Sequence, residues 1–502
     1  MSDPITADIS KLAHNKLRLS YGSSILGRQL HEFQPLESAG LVDISNTTQI
    51  NIPIASANPA SFLNPAESML KCRIKITAPN ASTATADVNK RYIFKGVSSL
   101  IKSLQTSHAT KSTVFENIEN SDIFTQASKS LLDNSYWQNL CHDVDGSQVN
   151  SLLQGPNNVA PFNAAPYGTG LLADDSNSYN NASANEIKVY NADEVLETMR
   201  RTANRVVECE VPLPSGLLSS SNDSLIPLFN CPLKLTLNFN PISAAFKWNH
   251  ADGAVTVVEV QFRYFACIYN MSDAVVANNN ALIASSGLKL DYDRVQNVNI
   301  AIPQGTSSFS YSFPVMNISS LVAVMAVLVR SNALNSSSKD RYYFYDGSSF
   351  AQNWDTAANN GNGSGTASFL NSIQWSIGNQ YFPQAPLQCG PLRYATLHTL
   401  SKSALLSDGG SVVYHTDSNH IQNYAGELDG VYKPGVADKF MMNMGFTHLN
   451  SKAYKSGLSL VNAPLNINMN FENATADAYT LQVFLLHQAV VELTSSDVMV
   501  KF

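Results

Sequence analysis

The sequence predicts an all-β chain made of two related antiparallel β-sandwich domains, and three observations predict it. Residues 232–239 read PLKLTLNF and residues 464–471 read PLNINMNF, so six positions of an alternating segment recur in the second half. An active-site motif rarely occurs twice in one chain, whereas a structural unit often does. Runs that alternate apolar with polar residues, or that are rich in Val, Ile, Phe and Tyr, recur along the chain with turn residues at their ends. Finally, only 14% of the residues are charged, against about 25% in an ordinary soluble domain. With 44% hydrophobic residues and abundant Asn and Ser, that balance implies wide uncharged polar surfaces suited to contact with neighbouring subunits.

The elements follow in order. Residues 1–45 show no strong period and read as an extended arm, weakly basic at its start, where Lys11, Lys16, Arg18 and Arg28 stand against Asp3 and Asp8. The first domain, residues 46–270, opens with TQINIPIAS (48–56) and MLKCRIKIT (69–77). SDIFTQASKSLLDNSYWQNL (121–140) has Ile123, Phe124, Ala127, Leu131 and Leu132 at helical spacing behind a capping Ser121. NRVVECEVPLP (204–214), PLKLTLNFN (232–240) and AVTVVEVQFRYFACIYN (254–270) complete the unit. In LKLTLNF the Leu and Phe side chains take one face and Lys234, Thr236 and Asn238 the other, the pattern of a half-buried antiparallel strand.

Residues 271–296 read as a linker, and residues 297–502 repeat the programme. VNIAIPQ (298–304), FSYSFPV (309–315), LVAVMAVLV (321–329), NSIQWSIGN (371–379), KFMMNMGF (439–446), PLNINMNF and YTLQVFLLHQAVVEL (479–493) are its strands. LVAVMAVLV is too short to cross a bilayer as a helix, which takes about 20 residues, and suits a strand buried on both faces. A second echo, SKSLL (128–132) and SKSALL (401–406), places one helix midway through each half, the second over roughly 391–406. Two long Asn/Ser-rich stretches, 145–186 and 331–368, read as surface projections from a common scaffold.

Chemistry-bearing motifs are weak. The phosphate cradle, the nucleophile elbow and the H-E-x-x-H zinc motif are absent from the sequence. GNGSG (361–365) lacks the strand and helix that a dinucleotide loop requires and reads as plain loop. His415, Asp417 and His420 could present ligands to a divalent metal, yet they sit in a Ser/Gly-rich stretch without a rigid frame, and the solvated loop is the preferred reading. Asp291 and Asp293 share one face of a strand-like segment and read as surface acids and not as a glycosidase pair. Cys72, Cys141, Cys209, Cys231, Cys267 and Cys389 form no C-x-x-C pair and read as reduced, buried thiols. The start of the chain has no apolar core of a secretory signal, so the sequons at Asn46, Asn80 and Asn270 imply no glycosylation. A net charge of −7 argues against sequence-independent packaging of nucleic acid. No catalytic, cofactor-binding or metal-binding residue is assigned, no cofactor is expected, and the chain is read as a non-enzyme.

Four segments carry a resemblance to a known family. FLNPAESMLKCRIKI (62–76) looks like its early strand. GVSSLIKSLQTSHATKSTVFENIENSDIF (96–124) looks like its strand–turn–strand–helix, and VPLPSGLLSSSNDSLIPLFNCPLKLTLNF (211–239) like its late strand. IQWSIGNQYFPQAPL (373–387) resembles a segment of its second domain, with Gly378, Tyr381, Pro383 and Pro386 in place and Phe382 inserted between Tyr and Pro. The family is that of the double jelly-roll major capsid proteins of the adenovirus-hexon lineage, shared by virophages, polinton-like viruses, large eukaryotic DNA viruses and tailless membrane-containing phages.

The resemblance implies an all-β double jelly roll: two eight-stranded antiparallel β-sandwiches with short excursion helices and long loops. It further implies a homotrimer with six similar lobes, a pseudo-hexagonal capsomer that tiles the facets of an icosahedral virion assembled inside the host cell. The implied partners are further copies of the chain, neighbouring capsomers and minor capsid or penton proteins, with the N-terminal arm on the inner side where an internal membrane would lie. No direct sequence-specific nucleic-acid binding is implied. The rival readings are a carbohydrate-binding or adhesive β-sandwich protein, a two-domain glycoside hydrolase, and a minor vertex or spike protein of the same virion.

Overall fold

The computed structural model describes residues 25–77, 92–94, 96–129, 206–211, 213–218, 224–248, 255–314, 316–335, 341–342, 370–388, 442, 444–446, 450–451, 454–455, 457–471, 474–475 and 478–502. Residues 1–24, the stretches 145–186 and 343–368, the helix expected over 391–406, the GNGSG loop, His415, Asp417, His420, Cys141, Cys389 and Asn80 lie outside them.

Eight principal strands, with four short ones of two or three residues beside them, form the first lobe: β1 Ile25–Phe33, β2 Gln49–Ile54, β3 Ser61–Thr77, β4 Ile101–His108, β5 Val114–Glu119, β6 Val207–Val211, β7 Leu233–Phe239 and β8 Val257–Met271. They make two sheets, ordered β1-β8-β3-β6 and β2-β7-β4-β5. Eight more form the second lobe: β9 Leu288–Ile302, β10 Ser308–Ser312, β11 Leu321–Arg330, β12 Leu370–Ile377, β13 Gln380–Gln388, β14 Met444–Gly445, β15 Leu465–Phe471 and β16 Tyr479–Leu493. Their sheets are ordered β9-β16-β11-β14 and β10-β15-β12-β13. Each of these eight strands of the first lobe thus has its counterpart eight strands later, at the same place in the matching sheet. The recurring PLKLTLNF and PLNINMNF segments are the counterparts β7 and β15. A last strand, β17 Val498–Lys501, pairs with β16.

The inner faces follow the alternation. Leu233, Leu235, Leu237 and Phe239 of β7 close on Val258, Val260, Phe262 and Tyr264 of β8 in one core. Leu465, Ile467, Met469 and Phe471 of β15 close on Leu481, Val483 and Leu485 of β16 in the second. Trp375, 1% exposed, fills the middle of that second core.

Three expectations need correction. Residues 25–45 are not a free arm. β1 pairs with β8 along its whole length, and Val42–Asp43 pairs with the same strand. The period failed there because β1 is an edge strand with most of its side chains exposed, and only its ends, Ile25 and Phe33, pack on buried clusters. Residues 271–296 are not simply a linker either. They hold a helix, Asp273–Ser285, and the first part of β9. That helix ends at Gly287, whose φ of +80° lets its amide and that of Ser286 return to the Leu282 carbonyl. The described part of the excursion helix is α1, Ser121–Lys129, and Ser121 does not cap it. Its hydroxyl donates to the Ile101 carbonyl at 2.9 Å, while Asn120, in the left-handed region at φ 51°, precedes the first turn.

Candidate functional site

The side chains that combine into one structure lie on the seam between the two lobes. Strand β5 and helix α1 of the first lobe cover the outer face of the β9-β16-β11 sheet of the second. Ile118, Ile123, Phe124 and Ala127 pack there against Val295, Met325, Val327, Val329, Tyr342 and Phe484. This explains why LVAVMAVLVR is apolar without alternation. The whole of β11 is buried, with one face in the second core and Met325, Val327 and Val329 in the seam.

Buried polar groups lock the seam. Glu116 on β5 is fully buried and accepts from the Ser215 hydroxyl at 2.7 Å, the Gly216 amide at 3.0 Å and, from the second lobe, the Val295 amide at 3.4 Å. Burial holds its carboxyl above the usual range, and these donors oppose the rise. Tyr292 of β9 donates to the Phe115 carbonyl at 2.5 Å. Gly216 passes so close to β9 that a Cβ there would overlap the Asp293 carbonyl oxygen. In the first turn of α1, the buried Asp122 pairs with Arg341 at 3.1 Å and accepts from the Tyr342 hydroxyl at 3.0 Å. Burial raises that carboxyl as well, with Arg341 pulling it down. Arg341 also donates to Asn240 Oδ1 and the Leu334 carbonyl, both at 3.1 Å. At the end of β5 the Asn120 amide donates to Asn299 at 3.2 Å and to Gln482 at 3.0 Å.

These contacts hold the two lobes together. Asp291 and Asp293 lie half-buried on one face of β9, as the spacing predicts, and Asp293 contributes its backbone to the seam. Burial lowers the pKa of His108 and pushes that of His487 down to about 4. Cys72, Cys209, Cys231 and Cys267 are buried free thiols, and burial pushes Cys209 and Cys231 up to about 12. Among the described residues, no group of three or more His, Cys, Asp or Glu side chains converges as a metal site. No helix among them is long and apolar enough to cross a membrane. The seam residues themselves were not picked out from sequence. An acid inside an otherwise half-apolar strand, Glu116, was the available signal.

No protein-family model matches the sequence, and no curated protein matches it. Solved structures do. PBCV-1 VP54, in a crystal structure fitted into a cryo-EM reconstruction of the virophage Sputnik, aligns with a TM-score of 0.50 at 8% identity over 95% of this chain and 97% of its own. The fold is a double jelly roll. The Faustovirus major capsid protein aligns with a TM-score of 0.49 at 8% identity, covering 94% of this chain and 91% of that one. The Sputnik virophage structure determined by cryo-EM gives 0.49 at 13% identity, over 95% and 89%. At 8% identity to VP54 the fold persists with few of its side chains in common, because what it demands is alternation and turn placement more than particular residues.

Proposed function

We propose that this double jelly roll is a major capsid protein. In this reading three copies associate as a homotrimer whose six lobes form a pseudo-hexagonal capsomer, and capsomers tile the facets of an icosahedral virion. The observation that carries the reading is the seam. The two lobes, β1–β8 and β9–β16, are joined head to tail, with β5 and α1 of one seated on the outer face of the other's β9-β16-β11 sheet. A head-to-tail contact between equivalent units closes into a ring when its rotation divides a full turn. Duplication supplies two units per chain, so three chains give a six-unit ring.

The fold likeness supports the same reading, since VP54 is described in a structure fitted into a virus particle and two other aligned structures are a major capsid protein and a virophage. The protein has no catalytic, cofactor or metal residue in this reading. Its partners are further copies of itself, neighbouring capsomers and minor capsid proteins, and an internal membrane is the proposed neighbour of the segment before β1. Light scattering behind size exclusion tests the proposal. A species of three times 54.5 kDa, six-lobed by negative stain, is the expected result. A monomer at every concentration would overturn it.

A further inference from the structure

Residues 494–502, the segment that carries β17, touch both lobes. β17 extends the second lobe's sheet by pairing with Val490–Leu493 of β16, while Val498 lies buried in the first core and Val500 packs against it. The turn between β4 and β5 of the first lobe reaches across to the same backbone. Lys111 Nζ donates to the Ser496 carbonyl at 3.2 Å and the Thr113 hydroxyl to the Val498 carbonyl at 3.0 Å. At the other end Phe502 rests on β9 and β16, its ring centroid 4.4 Å from the Arg294 guanidinium carbon and 5.8 Å from that of the His487 ring. The segment is a strap from one lobe to the other.

Each end of the strap stands on a buried histidine whose surroundings reject a second proton. His108 Nδ1 accepts from the Thr110 amide at 3.2 Å and the Lys111 amide at 3.0 Å, which shapes the turn that presents Lys111 and Thr113. A backbone amide only donates, so this nitrogen carries no proton, and one added there would face two N–H groups. Burial first, and then the Lys111 ammonium, hold His108 below its ordinary value, with the Asn230 backbone pulling the other way. His487 is buried beside Arg294 of β9, its Nδ1 3.2 Å from the Gln488 carbonyl. Its Nε2 has no hydrogen-bond partner among the described residues, so an imidazolium there would be a buried charge without an acceptor. Burial and Arg294 hold it down to about 4, against the Gln488 carbonyl and Asp293. The strap's own charged groups face elsewhere: Asp497 accepts from the Val498 amide at 2.7 Å, and Lys501 pairs with Glu492.

We infer that residues 494–502 form an acid-released strap, seated at neutral pH on the uncharged His108 and His487 and released when both take up a proton. Lifting the strap removes Phe502 from His487 and frees the β4–β5 turn to open around His108. Both folded values lie below the ordinary 6.5, so the stability of the seated strap is complete above that pH and is lost as pH falls through the lowered values. The Lys501 pair acts in a lower window. It holds Glu492 below 4.5, so its contribution is complete above 4.5 and does not enter the histidine range. The inference goes beyond the capsomer reading and does not depend on it.

Hydrogen exchange of the full chain, read by mass spectrometry as protection factors so that the intrinsic pH dependence cancels, tests it. Peptides covering 494–502 should lose protection by up to about a hundredfold per pH unit below 6.5, two protons at tenfold each, while β7 and β15 keep theirs. His108→Asn retains an acceptor oxygen where Nδ1 stands, and His487→Phe retains an apolar ring. Each should halve the slope to about tenfold per pH unit. Thr113→Val removes one bond to the strap without touching a histidine, and should lower protection by about two- to tenfold at every pH with the slope unchanged. Because the wild type alone gives the slope, a variant that fails to fold leaves the test intact. Strap protection that is absent at pH 7.5, or that is unchanged at pH 5.5, would overturn the inference. So would loss in β7 and β15 together with the strap, or a folded His108→Asn that keeps the full slope.

Discussion

The Phe124 ring of α1 lies 5.1 Å from the Phe484 ring of β16, centroid to centroid, and so joins the first lobe to the second. The pair belongs to neither sandwich core but to the cluster between them. Phe124→Ala should therefore lower stability by about 3–5 kcal/mol, the usual range for a buried aromatic. Urea denaturation checks it, and a loss below about 1 kcal/mol would mean that the seam does not depend on this ring.

Glu116 makes stability pH-dependent in an unusual direction. Its carboxyl sits above the ordinary value of 4.5 because burial outweighs its three donors. Folding thus favours the protonated form, so this group's contribution is complete below pH 4.5 and is lost as pH rises through the raised value. Glu116→Gln keeps the shape and removes the charge. Relative to wild type, the variant should gain stability as pH rises from 4.5 through the raised value and keep that gain above it, in urea titrations between pH 4 and pH 8. A constant difference across that range would refute the assignment.

Arg341 is the cation that Asp122 faces in the seam. Arg341→Ala leaves a buried carboxyl without it and should cost about 3–5 kcal/mol. Removing both partners, as Asp122→Ala with Arg341→Ala, should cost less than the sum of the single changes. Denaturation of all four proteins in one double-mutant cycle measures that coupling.

Gly216→Ala should be among the most damaging small substitutions, because the added methyl group meets a backbone carbonyl of the other lobe that has no rotamer to yield. An expected loss of at least about 3 kcal/mol, at the top of the overpacking range, can be read from the same urea midpoints.

Much of the fold was legible in the residues. Alternation in LKLTLNF and LNINMNF marked β7 and β15, whereas Gly378, read as part of the strand over 371–379, sits at φ +56° in the turn between β12 and β13. The seam was less legible. The unbroken apolar run of β11 announced burial on both faces without saying what covers the outer one. β1 carried no periodic signal because an open edge strand imposes none.

Sequence by itself determined the all-β class, the duplication and most of the strands, because alternation, turn residues and repeats are local properties of the chain. Only the tertiary structure decided how the two copies meet. Phe124, Glu116 and Asp122 find Phe484, Val295 and Arg341 across separations of 179 to 360 residues, and no local pattern encodes such pairings. The same packing left Leu30 and Tyr381 exposed, which their sequence neighbours did not foretell.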